Sequence, residues 1–266
     1  MLPYSYIGSC RYEHVFQNAY PGRLHSIKEI NYFLENLDNL KDYLSYSSFS
    51  NPVLKTFVNL TFGNVFNSYL KNKTLLFPNN LGNFLQSKFL FIEISSLKYA
   101  STNCGIIANS SFLNTNTKET VNDYTPNEIF NDKLFNLKKD NFNSLQKEIV
   151  KMLKTLESRT QVEKIFLIPH VNLLSKITKK KIDNREEINL IIDNLTKNFK
   201  IFEKVKIWES REIKNFYQED ILDSNYLNFN KLGNKLAYDY FHYKFEETQE
   251  TKHYISSDVS ELELRD

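Results

Sequence analysis

Tyr4-Ser5-Tyr6-Ile7-Gly8-Ser9-Cys10-Arg11 decides how this chain is read. Tyr4 to Ile7 is a short apolar strand that stops at a glycine. Gly8-Ser9-Cys10 then turns the chain into Tyr12-Glu13-His14-Val15-Phe16, a helix or loop. A nucleophile on a sharp strand-to-helix turn is exposed, and its own backbone N–H can face a developing oxyanion. A helix N-terminus behind the turn would favour the thiolate of a cysteine placed there. By spacing alone the triplet reads first as a tight turn around a small, half-buried residue.

Outward from this turn the chain alternates strand and helix signals. Ser26 with Glu29 three residues on is a capping box that opens a helix, and Ile27, Ile30, Phe33, Leu34 and Leu37 follow at helical spacing. Lys88-Phe89-Leu90-Phe91-Ile92-Glu93-Ile94 is a nearly continuous apolar run, as expected in the middle of a parallel sheet. The stretch from Asp38 to Leu85 has weaker patterning and is expected to hold a short helix or two. Leu145, Ile149, Met152, Leu153 and Leu156 define one helical face, and Lys164 to Ile168 is a strand ending at Pro169-His170-Val171-Asn172. A helix is expected from Asn184 or Arg185, with Ile188, Ile191, Ile192 and Leu195 inward, then a strand Val205 to Trp208. A closing helix runs from about Phe229 to Phe245, with Leu232, Leu236, Ala237, Tyr240 and Phe241 on its buried side.

This rhythm predicts one α/β domain over residues 1–245, a three-layer α/β/α arrangement around a mainly parallel sheet. The Asn- and Thr-rich residues from about 100 to 140 read as a polar insertion, a lid or substrate loop, and 246–266 as a disordered tail. Ligands of such sheets bind beyond the carboxyl ends of the strands. That edge should gather Gly8 to Arg11, Glu93 to Ser96 and Pro169 to Asn172, with the segment near Asp223 able to reach it.

Composition narrows the partners. The chain has 266 residues, 41% of them hydrophobic, so it can bury a full core. With 34 basic and 32 acidic residues the formal charge is +2, which gives no argument for nucleic acid or an anionic membrane. Two cysteines, Cys10 and Cys104, are too few for a disulfide framework. No apolar stretch approaches the ~18 residues of a membrane span, and the N-terminus lacks a signal-peptide pattern. A cytoplasmic protein without membrane insertion is expected. No ligand spacing suggests a metal site.

Four segments occur in a set order: Tyr6-Ile7-Gly8-Ser9-Cys10-Arg11, Phe91-Ile92-Glu93-Ile94-Ser95-Ser96-Leu97-Lys98, Ile168-Pro169-His170-Val171-Asn172 and Asp223-Ser224-Asn225-Tyr226. Together they resemble the SGNH/GDSL hydrolase superfamily. The nearest resemblance is to its bacterial members with a Gly-Ser-Cys first block, GSCFA-like proteins and those of surface-polysaccharide gene clusters. The resemblance implies a flavodoxin-like fold and acyl-ester chemistry. Aligned on the first-block glycine, it implies Cys10 as nucleophile and Ser9 as the fallback, with Arg11 beside them to assist a thiolate or bind an anionic substrate. It implies an oxyanion hole of Gly63 N–H and a hydroxyl of Ser95 or Ser96 where the family has an asparagine. Glu93, costly to bury alone, is expected to pair with Lys98, Arg11 or a ligand.

The family's last block is Asp-x-x-His. Here Asp223 matches, but Tyr226 stands where the histidine belongs, and a tyrosine with a free pKa of ~10 is a poor base at neutral pH. His170 is the first substitute, with His25 and His14 as alternatives, although a lone histidine reads first as a hydrogen-bonded packing residue. His14, His25, Glu93, Asn172 and Tyr226 complete the expected substrate-binding set. Two functions follow. One is a carbohydrate esterase or deacetylase, or an O-acyltransferase, in surface-polysaccharide biosynthesis. It would need no cofactor unless acetyl-CoA donates the acyl group, since some relatives with a first-block cysteine are associated with coenzyme A. The other is a degenerate protein that binds a glycan or nucleotide-sugar without turnover. A structural or interaction protein, using the 100–140 segment and the acidic tail as docking surfaces, has no positive support in the sequence.

Overall fold

The fold is taken from a computed structural model that describes residues 3–12, 15–16, 24–38, 82–102, 107–109, 135–181, 183–198, 204–207, 213–224, 228–243 and 245. Expectations for Gly63, His14, Tyr226, Trp208, the stretch 39–81 and the tail 246–266 lie outside these residues. So does the side chain of Cys10, whose backbone is described. The chain divides into two compact units, one of residues 1–10, 16–172 and 181–209, the other of 11–15, 173–180 and 210–266.

The first unit is mixed α/β. Its main sheet is four parallel strands in the order β1 (Tyr4–Ile7), β2 (Phe89–Glu93), β6 (Lys164–Ile168), β7 (Val205–Ile207). The register pairs Tyr6 with Phe91 and Ile7 with Ile92, then Phe91 with Phe166 and Glu93 with Ile168. Successive side chains alternate between faces, so this register sorts the residues into two chemically distinct layers. Tyr4, Tyr6, Phe89, Phe91 and Phe166 share one face. There the Tyr6 ring stacks on Phe16 at 4.7 Å, and Phe91 stacks on Phe166 at 4.8 Å. Ile7, Leu90, Ile92, Ile165 and Leu167 share the other, in one buried cluster with the apolar stripes of three helices. Burial on both sides is why β2 reads as an unbroken apolar run and not an alternating one.

Those helices are α1 (Ile27–Glu35), α2 (Phe142–Arg159) and α3 (Asp183–Asn198). Each expected inward residue is buried: Ile27, Ile30, Phe33, Leu34 and Leu37 near α1, the five named on α2, and Ile188, Ile191, Ile192 and Leu195 on α3. The capping box at α1 is present in both directions, with Ser26 Oγ accepting from Glu29 N at 3.3 Å and Glu29 Oε2 accepting from Ser26 N at 2.7 Å. The α1–α2 contact also carries polar bonds. Lys28 Nζ pairs with Glu148, and Asn31 Nδ2 donates to the Glu148 carboxylate at 2.7 Å.

The polar insertion contains regular structure. β3 (Lys98–Thr102) is flanked by β4 (Ile107–Asn109) and β5 (Phe135–Lys139) in an antiparallel sheet ordered β4-β3-β5. Weak apolar periodicity there reflects exposure, since Asn136 to Lys139 are all solvent-facing. Such a sheet is held by backbone bonds that leave little trace in hydropathy.

In the second unit a short helix α4 (Gln218–Ile221) is tied to the loop 173–180. Gln218 Nε2 donates to Leu173 O at 2.7 Å, and Ser175 Oγ donates to Glu219 at 2.6 Å. Residues 231–243 form the closing helix. Its buried stripe is Gly233, Ala237 and Phe241, spaced by four, whereas Leu232, expected inward, is exposed. Leu232 lies about 100° around the helix from that stripe. A Cβ at Gly233 would run into Ile221 O and come within 2.6 Å of the Phe229 ring, so this helix approaches its neighbours as closely as a glycine permits.

Candidate functional site

Because β1, β2 and β6 are parallel and in register, their carboxyl ends fall at one edge. Gly8, Glu93 and Pro169-His170 emerge there side by side. Alternation puts Glu93, two residues past Phe91, on the aromatic face toward Tyr6 and Gly8. Glu93 is 0% exposed, and its neighbours Ser9 and His170 are 7% and 6% exposed.

A carboxylate in that position must be hydrogen-bonded or it costs several kcal/mol. Oε2 accepts from the Ser9 hydroxyl, from Ser9 N at 3.3 Å and from the Tyr6 hydroxyl at 3.1 Å. The Tyr6 hydroxyl also reaches Ser9 O at 2.9 Å, so its single proton is shared between the turn and the carboxylate. The other carboxylate oxygen, Oε1, lies 3.0 Å from His170 Nδ1. An ionised carboxylate only accepts; against one, Nδ1 would carry the proton and Nε2 would be the basic nitrogen of a neutral ring.

Gly8 makes the arrangement possible. A Cβ there would overlap the Tyr6 hydroxyl and lie 2.9 Å from the Glu93 Cβ. The glycine is required by the phenol crossing above it, not by an unusual backbone angle.

The His170 backbone is held independently of its ring. Asn189 on α3 accepts from His170 N through Oδ1 and donates to His170 O through Nδ2, both at 2.8 Å. Arg185, one turn earlier, donates to Val171 O at 2.9 Å, and Glu186 accepts from Asn172 Nδ2 at 2.8 Å. The turn after β6 is therefore clamped by one face of α3.

Of the residues expected from the sequence, Ser9, Glu93 and His170 meet in one hydrogen-bonded group. Asn172 serves the α3 clamp. His25 lies beside the end of β2, where its carbonyl accepts from Ser95 N at 2.9 Å and Ser96 N at 3.0 Å. The Ser96 hydroxyl is engaged in a local turn, donating to Lys98 O at 3.0 Å and accepting from Lys98 N at 2.9 Å. Arg11, buried, and Asp223 belong to the second unit, where Asp223 closes a turn with Asn228, N to O 2.9 Å. Glu93 contacts Tyr6, Ser9 and His170.

Sequence reasoning missed Tyr6 and Asn189. Tyr6 looks like any strand aromatic, and only the register across β2 places its hydroxyl over Gly8. Asn189 could have been suspected as a polar residue beside the inward Ile188 of α3. Among the described residues no group of three or more His, Cys, Asp or Glu could hold a metal ion, and no helix is long and apolar enough to cross a membrane.

No family model matches the chain, and neither curated proteins nor solved structures yield a significant match.

Proposed function

We propose that this chain is an enzyme of acyl-ester chemistry of the SGNH/GDSL type, with the three-layer fold of that superfamily. It would be a carbohydrate esterase or deacetylase, or an O-acyltransferase using acetyl-CoA as donor substrate, in surface-polysaccharide assembly. One observation carries this reading: at the carboxyl edge of the parallel sheet, His170 and the Gly8-Ser9 turn belong to one buried hydrogen-bonded group. The resemblance places the nucleophile on that turn, and a base is what the chain otherwise lacks at Tyr226.

In the proposed reaction the Cys10 sulfur adds to the acyl carbonyl, with its proton passing to His170 Nε2. The tetrahedral intermediate collapses to a thioester as His170 returns the proton to the leaving oxygen or sulfur. Water or a sugar hydroxyl, deprotonated by His170, then releases the acyl group. Backbone N–H groups of the turn, with Gly63 N–H and Ser96, are the proposed oxyanion donors.

The test is acetate release from p-nitrophenyl acetate and acetylated sugars, and loss of acetyl-CoA with sugar acceptors. Wild-type turnover that falls ~10²-fold or more in Cys10→Ala and in His170→Ala is expected. Turnover equal in wild type and both variants would sink the proposal, and glycan binding without any turnover would favour the degenerate reading.

A further inference from the structure

We infer that Glu93 is the positioning carboxylate of this site: it sets which nitrogen of His170 carries the proton, and the Ser9 hydroxyl serves it as a lock. The inference deepens the proposed function and rests on that reading only in taking His170 as the base. It assigns to Glu93 the orienting role that the family resemblance would give to Asp223.

The argument is one of hydrogen-bond stoichiometry. Glu93 is fully buried and receives donors on both oxygens, three of them from β1 and its turn on Oε2 and His170 Nδ1 on Oε1. A carboxylate so surrounded is held in one rotamer with Oε2 taken up by donors, which leaves Oε1 as a fixed acceptor for Nδ1–H. Ser9 donates its own hydroxyl hydrogen to Oε2, and both its N–H and its side chain face the same oxygen. A serine hydroxyl committed as a donor to Oε2 holds the carboxylate in place. The imidazole is constrained at two levels. Its backbone is clamped by Asn189, and its ring is turned by Glu93, leaving Nε2 as the atom that exchanges protons. Tyr6 supports this from below, its ring stacked on Phe16 and its hydroxyl shared between Ser9 O and Glu93.

The experiment is 15N NMR of histidine-labelled protein across pH, with His170 assigned by His170→Gln. In the wild type the neutral ring is expected as the Nδ1–H tautomer. In Glu93→Gln that preference is expected to be lost in favour of Nε2–H, with protonation of the ring moved to lower pH, whereas Glu93→Asp should restore part of it. Tyr6→Phe keeps the ring stack and removes one donor to Oε2. It is expected to move His170 protonation to higher pH, and it stands in should Glu93→Gln fail to fold. An unchanged tautomer and titration in Glu93→Gln, or in Tyr6→Phe where that variant stands in, would overturn the inference. Labelling of Ser9 by a fluorophosphonate, lost in Ser9→Ala, would also overturn it by showing Ser9 to be the nucleophile. A wild type inert toward all esters but with the tautomer shift intact removes the acyl reading and leaves this one standing. Ester turnover with no His170 response to Glu93→Gln does the reverse.

Discussion

Glu93 Oε1 lies 3.0 Å from His170 Nδ1, and both side chains are buried at the carboxyl ends of adjacent parallel strands. Their meeting follows from register alone. Glu93 ends β2 opposite Ile168, and His170 is two residues past that partner, so the strands deliver carboxylate and imidazole to the same edge. Removing the imidazole leaves the carboxylate buried without that donor, which costs ~1–3 kcal/mol or more. His170→Ala should therefore lose stability as well as any ester turnover, and the stability loss is read from the urea midpoint at unchanged m-value.

Gly8 can be tested separately. Gly8→Ala places a methyl group where the Tyr6 hydroxyl crosses toward Glu93. Overpacking of this kind costs ~1–3 kcal/mol, and here it also displaces the phenol from the carboxylate. The double variant Gly8→Ala/Tyr6→Phe should recover part of that loss, because its ring lacks the oxygen that clashes. Additive losses, measured by denaturant unfolding, would place the collision elsewhere.

The capping box of α1 predicts a pH effect. Glu29 is fully buried, and burial pushes its carboxyl up to about 7 from its ordinary value of 4.5, despite the opposing hydrogen bonds from Ser26 and the His25 backbone. Its Oε1 has no hydrogen-bond partner among the described residues. A raised carboxyl binds its proton more tightly in the folded state. Its contribution is therefore fully present below pH 4.5 and is lost as pH rises through about 7. The protein should lose on the order of 3 kcal/mol of stability between those limits from this group. Glu29→Gln should flatten that part of the profile, as read from thermal unfolding at pH 5 and pH 8.

The α1–α2 contact gives an effect of opposite sign. Burial raises the Glu148 carboxyl, but hydrogen bonds from Lys28 and Asn31 and the nearby lysine charges outweigh it and hold the group below its ordinary value. The contribution of Glu148 is present above that ordinary value and is lost as acid takes the pH below it. A Lys28→Met, Glu148→Gln double-mutant cycle should give a coupling of about 0.5–1 kcal/mol at pH 7. That coupling should vanish when the cycle is repeated in strong acid.

Asn189 separates orientation from chemistry. Asn189→Asp keeps an acceptor for His170 N but removes the amide donor to His170 O. If the clamp positions the base, turnover of p-nitrophenyl acetate should drop with the His170 tautomer preserved, because Glu93 still holds the ring. Unchanged turnover would mean that the ring contact alone suffices.

The core elements were legible because their signals are local. The apolar faces of α1, α2 and α3 repeat at helical spacing, and their inward residues are buried as expected. The run Phe89–Glu93 is apolar at every residue but the last because it is covered on both faces. The region of β3, β4 and β5 reads in the sequence as a polar insertion, because β5 is exposed from Asn136 to Lys139 and carries no apolar period. Leu232 is apolar yet exposed, and the buried stripe follows the small residues Gly233 and Ala237, because spacing and not apolar character sets which side of the helix faces inward.

For the site, the sequence alone determined that Gly8-Ser9, Glu93 and His170 terminate strands of one parallel sheet, because chain order and apolar runs dictate where each strand stops. The tertiary structure decided which of them touch. Tyr6 reaching over Gly8 to Glu93, Glu93 turning toward His170 and Asn189 clamping its backbone are contacts between residues as many as 87 positions apart. Such contacts depend on strand register and on which face each side chain takes. A shift of one residue would reverse every face, and no local pattern in the chain encodes that choice.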